Sequence, residues 1–244
     1  MAAQRAPARE LSAVYRHPVY QVTGVSLRYR ARNAARGSET AALNGVSLDV
    51  HAGDLLVIRG HSGSGKSTLL QVMAGLAVPD EGQVFFQSLA LHLLDEDARA
   101  VARRRHIGFV YQAFQLVETM TAVENVALPL LFGGVVKRER EQRAVRMLED
   151  LGLADRRQRF PYELSGGEQQ RVAIARALVT EPSVILADEP TGSLDTASSK
   201  RVLDAMARLH ESKELTTILV THDADVAQRM ATRTIELRDG RVVS

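Results

Sequence analysis

Residues 60–68 read GHSGSGKST, a glycine-rich run closed by a lysine and two hydroxyls. Glycines 60, 63 and 65 let the backbone curl so that its N–H groups point at phosphate oxygens, and the start of a following helix adds its positive end. The phosphate-facing set is Gly60, His61, Ser62, Gly63, Ser64, Gly65, Lys66, Ser67 and Thr68. Lys66 is placed to reach the β- and γ-phosphates, and Ser67 to bind Mg²⁺. At 184–190 the chain reads VILADEP, two acids after four apolar residues. A carboxylate at the tip of a buried strand beside a phosphate loop can hold the Mg²⁺ shell, a role that falls to Asp188. Glu189 is then placed to polarise an attacking water. Between these motifs lies LSGGEQQ at 164–170, and Thr221-His222-Asp223 follows them.

These residues need rigid elements beneath them. Leu55–Ile58, Ile107–Tyr111, Val184–Ala187 and Thr217–Val220 are short apolar runs that end in the motif loops. Continuous apolar runs, without alternation, are the pattern of buried parallel strands. Helical segments between them predict an α/β core. One helix is expected to leave the phosphate loop through Leu69, Leu70 and Met73. Another is expected over about 168–178, with Val172, Ala175 and Leu178 on one face. Residues 89–105 and 137–152 also read as helices; in the second, Ala144, Met147, Leu148 and Leu151 keep i, i+3, i+4, i+7 spacing. The stretch 89–163 is therefore read as a mostly helical insertion leading to LSGGEQQ. Asp239-Gly240 between two strand-like runs predicts a terminal hairpin.

Bulk properties narrow the function classes. A chain of 244 residues suits one large domain with a sizeable core. With 31 basic and 29 acidic residues the charge is nearly balanced, which gives little support for nucleic-acid binding. The absence of cysteine excludes disulfides and Cys-ligated metals, and fits a reducing compartment. The longest apolar stretch, 127–136, is interrupted by a proline and two glycines and falls short of the ~20 residues of a spanning helix. Residues 1–18 lack the apolar core of a signal peptide and read as a disordered tail.

LSGGEQQRVAIARAL at 164–178, followed by ADEPTGSLD at 187–195 and THD at 221–223, resembles the nucleotide-binding domain of ATP-binding cassette (ABC) proteins. The likeness runs from about Tyr29 to the C-terminus. It implies an α/β P-loop NTPase (RecA-like) core with an N-terminal antiparallel β subdomain and a helical signature subdomain. The domain then spans 19–244, with core 19–88 and 164–244 and helical part about 89–163.

The resemblance also carries site residues. Ser165, Gly166 and Gly167 match the signature that contacts the γ-phosphate held by the opposite subunit. Gln112 corresponds to the Q-loop glutamine, which senses Mg²⁺ and the attacking water and links to a transmembrane partner. His222 resembles the switch histidine at the γ-phosphate, Ser193-Leu194-Asp195 the loop that crosses the dimer interface, and Tyr29 the aromatic that stacks on adenine. Lys66, Asp188, Glu189 and His222 together imply hydrolysis rather than binding alone. The implied cofactors are ATP and Mg²⁺. The implied partners are a second copy and a separate transmembrane permease, with no nucleic acid, at the cytoplasmic face of the cell membrane.

The segments ETAALNGVSLDV (39–50) and RRRHIGFVYQAFQLVETMTAVENVALPL (103–130) resemble the branch with the lipoprotein-release ATPase, the macrolide-exporter cassette and the cell-division cassette. Three departures stand out: Glu118 where that branch usually has proline, GSLD for GNLD, and a long segment at 30–42 expected to form a surface loop. A soluble ABC ATPase acting on DNA or ribosomes fits less well, since those relatives carry long coiled coils or two cassettes, and only residues 69–164 separate the phosphate loop from Ser165. A cassette whose membrane partner transmits a signal is the remaining alternative.

Overall fold

The computed structural model describes residues 18–30, 39–213, 215–223 and 230–243. The expected disordered tail lies outside the described residues except for Pro18, and so does 31–38 of the expected surface loop. Strands β1 (Tyr20–Arg30) and β2 (Glu39–Val50) pair antiparallel, and β4 (Glu81–Phe86) pairs with the other edge of β1. With the short β5 (Leu89–Ala90) they form a four-stranded antiparallel sheet in the order β2-β1-β4-β5.

The four apolar runs become β3 (Leu55–Arg59), β6 (Ile107–Val110), β7 (Val184–Asp188) and β8 (Thr216–Val220). They are joined by β9 (Arg233–Arg238) and β10 (Arg241–Val242) in a second sheet, ordered β10-β9-β3-β8-β7-β6. The pairings β9–β3, β3–β8, β8–β7 and β7–β6 are all parallel. Only β10 runs antiparallel, through the two-residue turn Asp239-Gly240, both residues at positive φ (48° and 73°) as a tight hairpin requires.

Both faces of the parallel sheet are buried, which is why its strands lack polar alternation. Leu55, Val57, Ile185, Ala187 and Leu219 face one core, packed against α3 (Ala122–Phe132), α4 (Lys137–Asp150), α5 (Gly166–Leu178) and α6 (Thr196–Lys213). Leu56, Ile58, Leu186, Ile218 and Val220 face the other, shared with α1 (Lys66–Met73) and the antiparallel sheet. Ala144, Met147, Leu148 and Leu151 are buried as their spacing predicts.

Helix α2 (Glu96–His106) starts later than residue 89, because Asp95 caps it by accepting from the Ala98 N–H at 2.8 Å. Its predecessors instead add β5 and a 3₁₀ turn at 91–93. The stretch 89–163 thus holds helices α2, α3 and α4 and also supplies β6 as the edge of the parallel sheet. No helix among the described residues is long and apolar enough to cross a membrane.

Candidate active site

The carboxyl ends of three neighbouring strands meet at one place, where ligands of open α/β sheets bind. Ile58 of β3 and Asp188 of β7 both lie in register with Val220 of β8, which stands between them. The loops leaving these strand ends carry the phosphate loop, Asp188-Glu189 and His222.

The phosphate loop is held by its surroundings. A Cβ on Gly60 would stand 2.2 Å from the Leu237 carbonyl oxygen, and one on Gly65 2.3 Å from that of Ala42, so neither position admits a side chain. Gly63, at φ +78°, turns in open space. Ser64 is fully buried, and its carbonyl accepts the Gly240 N–H at 3.0 Å. The Asn44 N–H donates to Gly240 O at 2.8 Å, and His61 Nε2 lies 3.7 Å from Asp239 Oδ1. The terminal hairpin therefore braces the phosphate loop from behind, a role the sequence pattern did not reveal.

Lys66 is 5% exposed, and its Nζ donates to the carbonyls of Gly60 (3.0 Å) and His61 (2.9 Å). The same Nζ lies 3.9 Å from Glu189 Oε1. Ser67 Oγ donates to Asp188 Oδ1 at 2.9 Å. Burial pushes the Asp188 carboxyl above the usual carboxylate range, and the nearby Glu189 charge adds to this, against the Ser67 bond and Lys66. Such a group is poised to take up a cation.

Glu189 adopts φ +42°, a left-handed conformation that costs a non-glycine residue roughly 1–2 kcal/mol. Its N–H donates to Val220 O and its carbonyl accepts the Gly192 N–H, both at 3.0 Å, which fixes the sharp turn after Asp188. Its Oε2 lies 3.2 Å from His222 Nδ1. A Cβ on Gly192 would lie 3.2 Å from Gln112 Nε2 and 3.4 Å from Glu189 Oε2. Gln112 and Glu189 thus close over the same glycine. Lys66, Ser67, Asp188, Glu189, His222 and Gln112 are gathered at one site.

The signature is built separately. Ser165 caps α5, its Oγ accepting the Glu168 N–H at 3.3 Å and donating to Glu168 Oε2 at 2.8 Å. The Ser165 N–H also donates to Glu168 Oε2 at 2.8 Å, and Arg156 Nε to Glu168 Oε1 at 2.9 Å. Burial raises the Glu168 carboxyl, but the bonds from Ser165 and Arg156 together outweigh it and leave it below the usual glutamate value. A Cβ on Gly166 would meet Leu194 Cδ2 at 3.2 Å, and one on Gly167 would meet Ser198 Cβ at 2.9 Å. Asp195 caps α6 by accepting the Ser198 N–H at 2.9 Å. Phe114, Leu194 and Ser198 lie nearest Gly166 and Gly167, and Arg156 holds Glu168.

Tyr29 is 47% exposed on β1, with its hydroxyl 3.5 Å from Oε1 of Gln71 on α1, the helix that leaves the phosphate loop. Two residues not singled out by the sequence organise the loop after Gln112. Arg176 of α5 donates to the carbonyls of Gln115 (2.6 Å) and Phe114 (3.0 Å). Fully buried Asn125 donates to the carbonyls of Val117, Met120 and Thr121 and accepts the Val117 N–H, which fixes the turn carrying exposed Glu118. A polar residue inside the apolar run AVENVALPL was the available signal for Asn125. Arg176 had none.

A family model described as ABC transporter matches residues 43–192, more than half of the chain. The chain belongs to the ABC transporter family. This ABC cassette is 45% identical over 212 residues to the lipoprotein-releasing system ATP-binding protein LolD of Aquifex aeolicus (strain VF5), covering 87% of this chain and 93% of that protein. It is 48% identical over 207 residues to the macrolide export ATP-binding/permease protein MacB of Bradyrhizobium diazoefficiens, covering 85% of this chain but 31% of that protein. Both belong to the branch that segments 39–50 and 103–130 resemble. A dimeric structure of a post-hydrolysis state of the ATP-binding cassette MJ0796 bound to ADP and Pi superposes with a TM-score of 0.84 at 39% identity, over 92% of this chain and 97% of that one. The cassette is an ABC-type ATPase, the ATP-binding subunit of a transporter-type complex.

Proposed function

We propose that two copies of this cassette sandwich two ATP molecules head to tail, each site using the phosphate loop of one copy and the signature of the other. One observation carries this reading. Within a single chain the phosphate loop packs against Ala42, Leu43 and Leu237, whereas the signature packs against Phe114, Leu194 and Ser198. Both patches are helix N-termini suited to anions, and the residues found against each form different sets. A second copy brings them together.

In this reading Lys66 leaves its two carbonyl partners to bind the β- and γ-phosphates, and the loop amides of 60–68 cradle the rest. Glu189 accepts a proton from the attacking water and directs it along the line to phosphorus. His222, bonded to the same carboxylate in this structure, holds Glu189 in place and turns toward the γ-phosphate when nucleotide is bound. Gln112 lies over Gly192 and contacts the same water from the other side. Ser165, Gly166 and Gly167 of the second copy close on the γ-phosphate, and Asp195 lies in the loop beside that junction. Tyr29, exposed on β1, stacks on adenine.

Ser67 Oγ and Asp188 Oδ1, 2.9 Å apart, are hard oxygen donors brought together from two elements, and the raised Asp188 carboxyl gains from a cation. They fit Mg²⁺, with Gln112 at the outer side. Bound there, Mg²⁺ would neutralise charge on the phosphate oxygens.

Closure of the dimer with ATP, and its reopening after hydrolysis, drives a separate membrane permease through the region from Gln112 to Leu131. The cassette then works as a peripheral subunit on the cytoplasmic face of the membrane. The likeness to LolD and MacB favours a partner that acts on lipoprotein release or export. Co-purification from membranes tests this. Recovery with an integral membrane subunit supports the reading, and recovery only with ribosomes or DNA overturns it.

A further inference from the structure

Ser165 has one hydroxyl proton, and in this structure it goes to Glu168 Oε2 at 2.8 Å. The trans contact of the proposed dimer needs that proton turned toward a phosphate oxygen. When it turns, Glu168 keeps the Ser165 N–H on Oε2 and the Arg156 guanidinium on Oε1, at 2.8 and 2.9 Å. The carboxylate remains hydrogen-bonded throughout.

Charge is the harder problem. A phosphate accepting from Ser165 Oγ adds one hydrogen bond, about 2.7 Å, to the 2.8 Å between Oγ and Oε2. The phosphate thus comes within about 5.5 Å of the Glu168 carboxylate, at a helix end that would otherwise attract anions. Arg156 is the hydrogen-bonded counter-charge. Arg171, one turn along α5, also feels Glu168, but its Nε is buried without a hydrogen-bond partner among the described residues.

We infer that Arg156 is a positioning residue for the signature: by neutralising Glu168 it lets Ser165 Oγ donate to a nucleotide phosphate held by the second copy. This rests on the head-to-tail dimer. It assigns a role to a residue of the 3₁₀ turn at 154–156, outside the signature helix.

The test measures the ATP concentration for half-maximal dimerisation by light scattering, in a Glu189→Gln background that retains ATP. Arg156→Gln should raise it roughly three- to tenfold at low salt, the scale of one unscreened charge at this distance. Arg156→Lys should stay near the parent. Adding Glu168→Gln to Arg156→Gln should restore the parent value, because glutamine keeps the cap but removes the charge. Salt should shrink the Arg156→Gln deficit, as screening would. An unchanged Arg156→Gln, or a double variant as weak as the single, overturns the inference; the second result would mean that Arg156 acts by packing. If the Glu189→Gln parent does not dimerise with ATP, the dimer reading itself fails and this inference with it.

Discussion

Glu189 and His222 meet at 3.2 Å, through Oε2 and Nδ1, while the other carboxylate oxygen faces Lys66 Nζ at 3.9 Å. Three elements thus converge on one carboxylate held in a strained turn at φ +42°. Strain of this kind persists where the surroundings over-determine it. Glu189→Gln keeps the shape and removes the base. Hydrolysis should fall by about 10²–10⁴, with ATP affinity retained and a stable ATP-bound dimer appearing on size exclusion. A variant that turns over ATP normally removes Glu189 from the role of base.

Asp188 carries a cost in the absence of metal. Its folded pKa is raised, chiefly by burial, so its ionised form weakens folding. That cost is fully present above the raised folded pKa, declines as pH falls through it, and is gone below the ordinary carboxylate value. Asp188→Asn should therefore raise the melting temperature of the metal-free protein at neutral pH, by about 1–3 °C after allowing for solvent screening. The gain should disappear in acid, while ATP hydrolysis is lost at every pH. Melting curves in chelator across pH check this, and a gain that grows toward acid contradicts it.

The terminal hairpin should matter for nucleotide binding although it carries no predicted site residue. Gly240 holds φ +73°, and a Cβ there would stand 2.8 Å from Ala42 O. Gly240→Ala should cost roughly 1–2 kcal/mol from conformation alone. It should also disturb the 3.0 Å bond from Gly240 N–H to Ser64 O. Calorimetric titration should show weaker ATP binding than in a variant of similar stability loss on α4, such as Ala144→Gly, which gives up helix propensity and one buried methyl.

Arg176 ties the loop after Gln112 to the signature helix through two carbonyls. Burial lowers its pKa, so the bonds are made by a cation that is costly to bury. Arg176→Met keeps the stem and removes the bonds. ATP binding to the single chain should be unchanged, while the turnover rate falls about tenfold, since Gln112 is no longer held.

Much of this was legible beforehand. The parallel strands showed as unbroken apolar runs because the sheet is covered on both faces, and Asp239-Gly240 marked the hairpin because only such residues tolerate two positive φ values. The phosphate loop was readable because its tight turns dictate glycine, Asp188 because two acids follow a buried apolar run, and Ser165 through the likeness of LSGGEQQ to the family signature. What escaped were contacts distant in sequence. The hairpin's support of Ser64 joins residues far apart along the chain, and Arg176's bonds go to carbonyls, which no side-chain pattern reports. The start of α2 was misjudged because Leu91, Leu93 and Leu94 mimic helical spacing, while Asp95 sets the true boundary.

The central claim is that one active site draws on two molecules. Gly166→Asp in the Glu189→Gln background tests it most directly, since the nearest atom to a Cβ there is the tip of the Leu194 side chain and the fold can give way. Calorimetry should find ATP bound to the single chain with unaltered affinity, while light scattering finds no ATP-dependent dimer. Loss of ATP binding by the single chain, or a dimer formed as readily as without the substitution, would contradict the composite site.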